Sequence, residues 1–302
     1  MAARQLRWIL FGEFLGYLFW GIWLTSHAGW TLGEVAWLVA GFFFGGRLLF
    51  VLTTFAISRP ASDPLPPALR VGPLGALRMV MGEYIALCVL FTVVQPFERF
   101  WLGPDRLAHC AARPLPLLLI HGYQCNRGFW FWLRRKLEAA GWTVATHSLE
   151  PVYADIDGYA EGIAQRIDEV LAATGAPQVI LVGHSMGGLA SRAYLRRHGI
   201  GKVARLITLG SPHHGTLLAR LGLGPNARQM RIGSAWVRAL QAPLPPASVS
   251  IYSCHDNYVF PQQACSTLEG AANVAIGGVS HIGMAFSPRV LGSLMEALEP
   301  SV

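Results

Sequence analysis

Ser185, Asp256 and His281 follow one another in the second half of the chain, and together they are the residue types that make an activated nucleophile. The serine stands in LVGHSMGGLASRAYL, residues 181–195, between Gly183 and Gly187 and directly after a run of apolar β-formers. A G-x-S-x-G pattern is weak alone in a chain with 33 glycines, and an ordinary strand-to-helix turn is the competing reading. What gives it weight is a strand immediately before and a helix immediately after, and both are read here. Flanking residues without side chains leave room for a strained backbone that lifts the serine Oγ clear of the strand. The following helix then aims its N–H groups and positive dipole end at an oxyanion forming beside Ser185.

A serine hydroxyl needs a base, and the base needs an orienting acid. SVSIYSC runs into HDNYVFP, which sets Asp256 just past a strand, and NVAIGG runs into VSHIGM, which sets His281 just past the next. The rivals fit less well. Asp155, Asp157 and Asp168 precede the serine, Glu269 lies in a loop or short helix, His213 and His214 follow an earlier strand, and His255 adjoins the acid itself. An oxyanion would be met by the N–H of Met186, the residue after the nucleophile, and by that of Tyr123 in HGYQCN, where Gly122 permits close backbone approach. For this loop too, a plain turn is the alternative.

The elements that must position these groups begin at residue 114. PLPLLLIHG, WTVATHSL, QVILVG, KVARLITLG, SVSIYSC and NVAIGG read as strands. Between them GFWFWLRRKLEAAG, DGYAEGIAQRIDEVLAATG and residues 187–197 read as helices, and a last helix covers 285–298. Alternating strands and helices predict an α/β class: a mostly parallel sheet covered on both faces, in one domain over 114–302.

The segment before this domain has a different texture. The 302 residues are 53% hydrophobic and 14% charged, against about 25% charged in a soluble domain. The apolar excess sits in 8–24, 35–57 and 79–95, each long enough to cross a bilayer, in a transmembrane region 1–97 joined by a linker, 98–113. A signal peptide would explain only the first run, and no small-residue cleavage site follows it. Arg4 and Arg7 precede the first run, residues 25–34 carry no Lys or Arg, and the loop 58–77 holds Arg59 and Arg70. With three crossings this pattern sets the amino terminus inside and the domain outside, in the periplasm of a bacterium. Arg47 within the second run calls for a pair with Glu13 or Glu83, or for a snorkelling side chain. The net charge of +7 is almost all arginine and scattered, so no nucleic-acid partner is expected.

LLLIHGYQCNRGFW, VGHSMGGLASR, TLGSPHHGT and DNYVFP…VSHIGM together resemble the bacterial triacylglycerol lipases and esterases of the α/β-hydrolase superfamily, over residues 114–300. The resemblance implies carboxylic ester hydrolysis through an acyl-enzyme, with Ser185, Asp256 and His281 as the triad and Tyr123 and Met186 as oxyanion donors. The apolar helices depart from the secreted relatives and suggest a membrane-anchored variant acting on lipids or other acyl esters. No cofactor is implied. Many relatives hold calcium near the triad, but IGMAFSPRV after His281 offers no carboxylate, so no metal site is expected. An acyltransferase would use the same triad, and a non-enzymatic membrane protein would retain only the fold.

Three smaller expectations complete the reading. Residues 213–246, rich in Leu, Gly and Pro, occupy the place of a lid, or merely cover the sheet. FWFW, residues 129–132, is read as helix packing before an acyl pocket or a membrane contact. Cys254 and Cys265 flank the loop that carries Asp256 and are a candidate disulfide in an oxidising compartment, with Cys110 and Cys125 a weaker pair.

Overall fold

A computed structural model describes residues 1–107 and 113–299. From the amino end come helices α1 (Ala2–His27), α2 (Leu32–Ser58), α3 (Pro73–Cys88) and α4 (Glu98–Leu102). Strands β1 (Leu117–Ile120), β2 (Val144–His147), β3 (Val179–His184), β4 (Val203–Leu209), β5 (Val249–Ser253) and β6 (Ala272–Ile276) follow. They are interspersed and closed by α5 (Phe131–Ala139), α6 (Tyr159–Thr174), α7 (Met186–His198), α8 (Gly224–Gln229), α9 (Ala235–Ala239), α10 (Gln262–Ser266) and α11 (Pro288–Leu298). The strands form one parallel sheet in the order β2-β1-β3-β4-β5-β6.

The sequence explains this arrangement. Strands such as LLLI and VILVGH are buried at every position, as a parallel sheet covered on both faces requires. α6 turns Tyr159, Ala160, Ile163, Ile167 and Val170 inward at helical spacing and stops at Gly175, whose φ of 69° suits a residue without Cβ. On one face of the sheet these residues pack with Leu189 and Ala193 of α7. On the other, Phe129, Leu133 and Leu137 meet Val290 and Leu294 of α11. Each such fully buried Leu, Ile or Phe contributes roughly 1.5–3 kcal/mol.

The amino-terminal region divides in two. Ala2–His27, Leu32–Ala61 and Pro73–Leu102 are all long and apolar enough to cross a membrane. α1 and α2 form an antiparallel hairpin, with Gly21 against Val35 and the Arg47 guanidinium on both carboxylate oxygens of Glu13, at 2.8 and 3.0 Å. A capping box of Thr31 and Glu34 starts α2. The hairpin leaves Trp8, Phe19 and Trp37 on its surface, 65%, 75% and 82% exposed. α3 behaves otherwise. Ala86, with Leu90 and Val94 in the π-helical turn that follows, joins the same apolar core as Phe129 and Leu294. Its stripe of contact also includes the fully buried Glu83 and Gln95.

The expected three crossings would hold the amino terminus and the 58–77 loop across a bilayer from the sheet domain. In the structure the Met1 ammonium meets the Glu150 carboxylate, and the Ala2 N–H donates to it at 3.2 Å. Arg7 donates to the Pro96 carbonyl at 2.7 Å. The Asp63 carboxylate accepts the N–H groups of Gln263 and Ala264 at 2.7 and 3.1 Å, on α10. All three runs have the length and hydropathy of a crossing, and α3 in addition spends one apolar face on protein. The described part of the 98–113 linker is likewise docked: Asp105 pairs with Arg134 at 2.9 Å and Arg166 at 2.7 Å.

Candidate active site

β3 delivers Ser185 at its carboxyl end, and α7 begins at the next residue. Ser185 has φ 53° and ψ −126°, a region that side-chain-bearing residues avoid and that places Oγ at the tip of the turn. The neighbouring glycines are required by close approach. A Cβ on Gly183 would stand 2.6 Å from the Gly188 nitrogen, and one on Gly187 2.2 Å from the Ile120 carbonyl oxygen. Below the turn, the Phe129 ring stacks on His184 at 4.1 Å, so the FWFW segment packs under the elbow as expected.

The loop after β1 lies against the serine. A Cβ on Gly122 would come within 2.8 Å of the Ser185 Cβ, so Gly122 carries the Tyr123 N–H to the elbow. Met186 opens α7, where an N–H has no intrahelical acceptor. Neither N–H has an acceptor among the loop and cap hydrogen bonds of the described residues. His121 braces the loop: its Nδ1 meets the Gly122 carbonyl at 2.8 Å and its Nε2 accepts the Leu149 N–H at 2.9 Å. These partners fix a neutral tautomer, and burial lowers the imidazole to about 4. Further along, the Asn126 N–H donates to Gln95 Oε1 and its Nδ2 to the Gln95 carbonyl, both at 2.8 Å.

Asp256 follows β5 and His281 follows β6. The Asp256 Oδ2 meets His281 Nδ1 at 2.7 Å, and its Oδ1 accepts the Tyr258 and Val259 N–H groups, each at 2.8 Å. Both oxygens of the acid are thus committed, and Nδ1 of the base is the bound nitrogen, which leaves Nε2 for a reacting hydroxyl. The His281 ring lies 5.0 Å from that of Tyr258 and 4.6 Å from that of His184, the residue before the serine. Burial pulls the His281 imidazole down, but the charge and hydrogen bond of Asp256, with the charge of Glu83, outweigh it and raise it above the ordinary histidine value.

The rival groups are held elsewhere. Asp168 pairs with Lys202 and Asp157 with Arg196, while Asp155 caps the turn before α6. His213 is pinned by Thr208 at 2.9 Å and by Arg192, and His255 Nδ1 accepts the Gly278 N–H at 3.1 Å. Among the described residues no cluster of three or more His, Cys, Asp or Glu could hold a metal ion.

Residues 213–246 form short helical pieces beside the oxyanion loop. The Tyr123 hydroxyl donates to the Leu223 carbonyl and accepts the Leu223 N–H, both at 2.8 Å. Leu221 and Leu223 remain 70% and 65% exposed at this rim.

The expected bridge between Cys254 and Cys265 is absent: both are free, buried thiols. The strand end and the helix carry them into different packing. The Cys254 N–H continues the ladder toward β6 at Ile276, whereas the Cys265 carbonyl accepts the His214 N–H. Burial pushes the Cys265 thiol up to about 12 and Cys125 likewise. Cys110 lies outside the described residues. Sequence reasoning missed Thr54, Glu83 and Gln95, which reach the site loops from the amino-terminal helices. A lone carboxylate or amide in an apolar run was the available signal.

Residues 116–228 match the family described as the alpha/beta hydrolase fold. A triacylglycerol lipase of Pseudarthrobacter phenanthrenivorans is 35% identical over 117 residues, 36% of each chain. One of Burkholderia plantarii is 35% identical over 117 residues, 36% of this chain and 32% of its own. The chain therefore spans about a third of the length of the curated relatives it matches. The crystal structure of a Bacillus licheniformis lipase in mature form superposes with a TM-score of 0.56 at 19% identity, over 66% of this chain and 96% of that one.

Proposed function

On the α/β-hydrolase fold to which residues 116–228 belong, we propose a serine ester hydrolase that cleaves carboxylic esters of lipids through an acyl-enzyme. The observation that carries it is the 2.7 Å Asp256–His281 pair brought to the strained Ser185 elbow. His281 Nε2 takes the serine proton as Oγ attacks the ester carbonyl. Asp256 holds the imidazolium that results, and the Tyr123 and Met186 N–H groups stabilise the oxyanion. The imidazolium then protonates the leaving alcohol, and water repeats the cycle on the acyl-enzyme. The two relatives are named triacylglycerol lipases. Exposed leucines at the rim and the apolar helices support a lipid ester met at a membrane.

For localisation we propose that the α1–α2 hairpin alone enters the bilayer and that the catalytic domain shares the side of the amino terminus. The arginines before α1 and after α2 favour the cytoplasmic face for that side. The activity is tested on full-length, detergent-solubilised protein with p-nitrophenyl esters of graded chain length and a fluorophosphonate. Ester cleavage with labelling at Ser185 is expected; labelling that persists in Ser185→Ala would remove the assignment.

A further inference from the structure

Glu83 is a fully buried carboxylate on a mostly apolar helix. A carboxylate in such a place is costly unless its oxygens are met by donors. Its donors all come from the two loops that carry the acid and the base. Asn257, next to Asp256, donates from Nδ2 at 3.2 Å, the Gly283 N–H donates at 2.8 Å, and the Ser280 side chain is a third partner. Asn257 in turn accepts the His281 N–H on Oδ1 at 3.0 Å, and its Nδ2 reaches Thr54 Oγ1 of α2 at 2.7 Å. The turn 280–283 is tight as well: a Cβ on Gly283 would stand 2.5 Å from Ser280 Oγ and 3.6 Å from the Glu83 carboxylate.

We propose that Glu83 is a positioning residue of the active site: from α3 it ties the Asp256 and His281 loops together and fixes His281 in register with its acid. This rests on the ester-hydrolase reading above. Burial raises the Glu83 carboxyl above the usual carboxylate range, and the donors from two loops that converge on it work against that shift and leave little freedom to either loop. His281 is faced by Asp256 and Tyr258 from one loop, His184 from β3 and Glu83 from α3. A charge on Glu83 would add to that of Asp256 in favouring the imidazolium. Apolar helices that resemble a simple anchor thereby become part of the machinery.

The test compares wild type, Glu83→Gln and Thr54→Val as full-length protein. Glu83→Gln keeps the volume but loses the charge and puts an NH2 where a donor already points. Its kcat is expected to fall roughly 10- to 100-fold with KM within about twofold, as for a base displaced by a fraction of an ångström. Its melting temperature should stay near wild type, and the acidic limb of kcat/KM should move to lower pH. Thr54→Val removes one partner of Asn257 and should leave that limb in place. In parallel, 15N-histidine spectra follow the His281 ring directly and should show it titrating lower in Glu83→Gln. Wild-type kcat and titration in that variant overturn the proposal. So does a lost kcat with a lowered melting temperature and an unmoved His281 titration, which is the mark of a merely structural residue. A wild type that takes no fluorophosphonate label would defeat the hydrolase reading, and the His281 titration would still decide the role of Glu83.

Discussion

The chemistry of Ser185 depends on a unit, and its members should fail together. Ser185→Ala and His281→Ala should each lower kcat by several orders of magnitude, and the double variant should cost little more than either alone. Asp256→Asn should leave KM close to wild type while removing most of the rate, because the 2.7 Å bond that orients Nδ1 changes character. The pH profile carries the sign of the His281 shift. His281 must be neutral to accept the serine proton, and its pKa is raised, so kcat/KM should fall with decreasing pH already above the ordinary histidine value of about 6.5. Asp256→Asn should move that limb down. Hydrolysis measured between pH 4 and 9 checks both, and a wild-type limb below pH 6 would contradict the geometry. The placement of Ser185, Asp256 and His281 was legible because each follows a strand in the chain. Glu83 was not, because a contact between residues some 200 positions apart leaves no local pattern, and its run read as lipid-facing.

At the scale of elements, the sequence located every strand of the sheet, since short β-branched and apolar runs bounded by Gly and Pro admit few other readings. The amino-terminal helices were located equally well, but the packing of α3 and its continuation on the core was not foreseen. α1 and α2 are apolar over most of their surface and pair their mid-helix charges, Glu13 and Arg47, with each other. α3 and its π-helical continuation bury only a stripe, and hydropathy averaged over a window does not see which face is apolar. The hairpin reading makes a definite claim about sidedness. A reporter active only in the periplasm should be silent when fused after Arg70 or Arg113, because both flank segments that touch the catalytic domain or precede it directly. The same reporter inserted between Ala28 and Gly29, at the tip of the hairpin, should be active. Activity after Arg113 with silence after Arg70 would restore the third crossing and break the Asp63 contacts with α10.

For the whole molecule, the boundary that composition suggests near residue 97 is not the boundary of the core. Leu90 and Val94 are 0% and 2% exposed inside the cluster that also contains Phe129, Ile282 and Leu294. Gln95 holds Asn126 of the oxyanion loop through two bonds of 2.8 Å, and Glu83 holds the turn beside His281. Removing residues 1–97 would expose the apolar seat of Ala86, Leu90 and Val94. At roughly 1.5–3 kcal/mol for each of Leu90 and Val94, the loss is a large part of the 5–15 kcal/mol that holds a typical domain folded. It would also leave the Asn257 and Gly283 donors without their acceptor, each costing about 1–3 kcal/mol more. A chain starting at residue 98 should therefore be aggregated or molten, with little ester hydrolysis, even though it contains Ser185, Asp256 and His281. A chain starting at Ser62 keeps Asp63, α3 and the turns to residue 97, and loses the hairpin with its Thr54 bond. It should fold with a melting temperature modestly below that of the full protein, hydrolyse short soluble esters at a comparable rate, and no longer sediment with membranes. Circular dichroism melts and p-nitrophenyl acetate hydrolysis on the two truncations distinguish the cases. A stable, active chain from residue 98 would mean that α3 is an anchor after all and that the interface around Glu83 contributes nothing to catalysis.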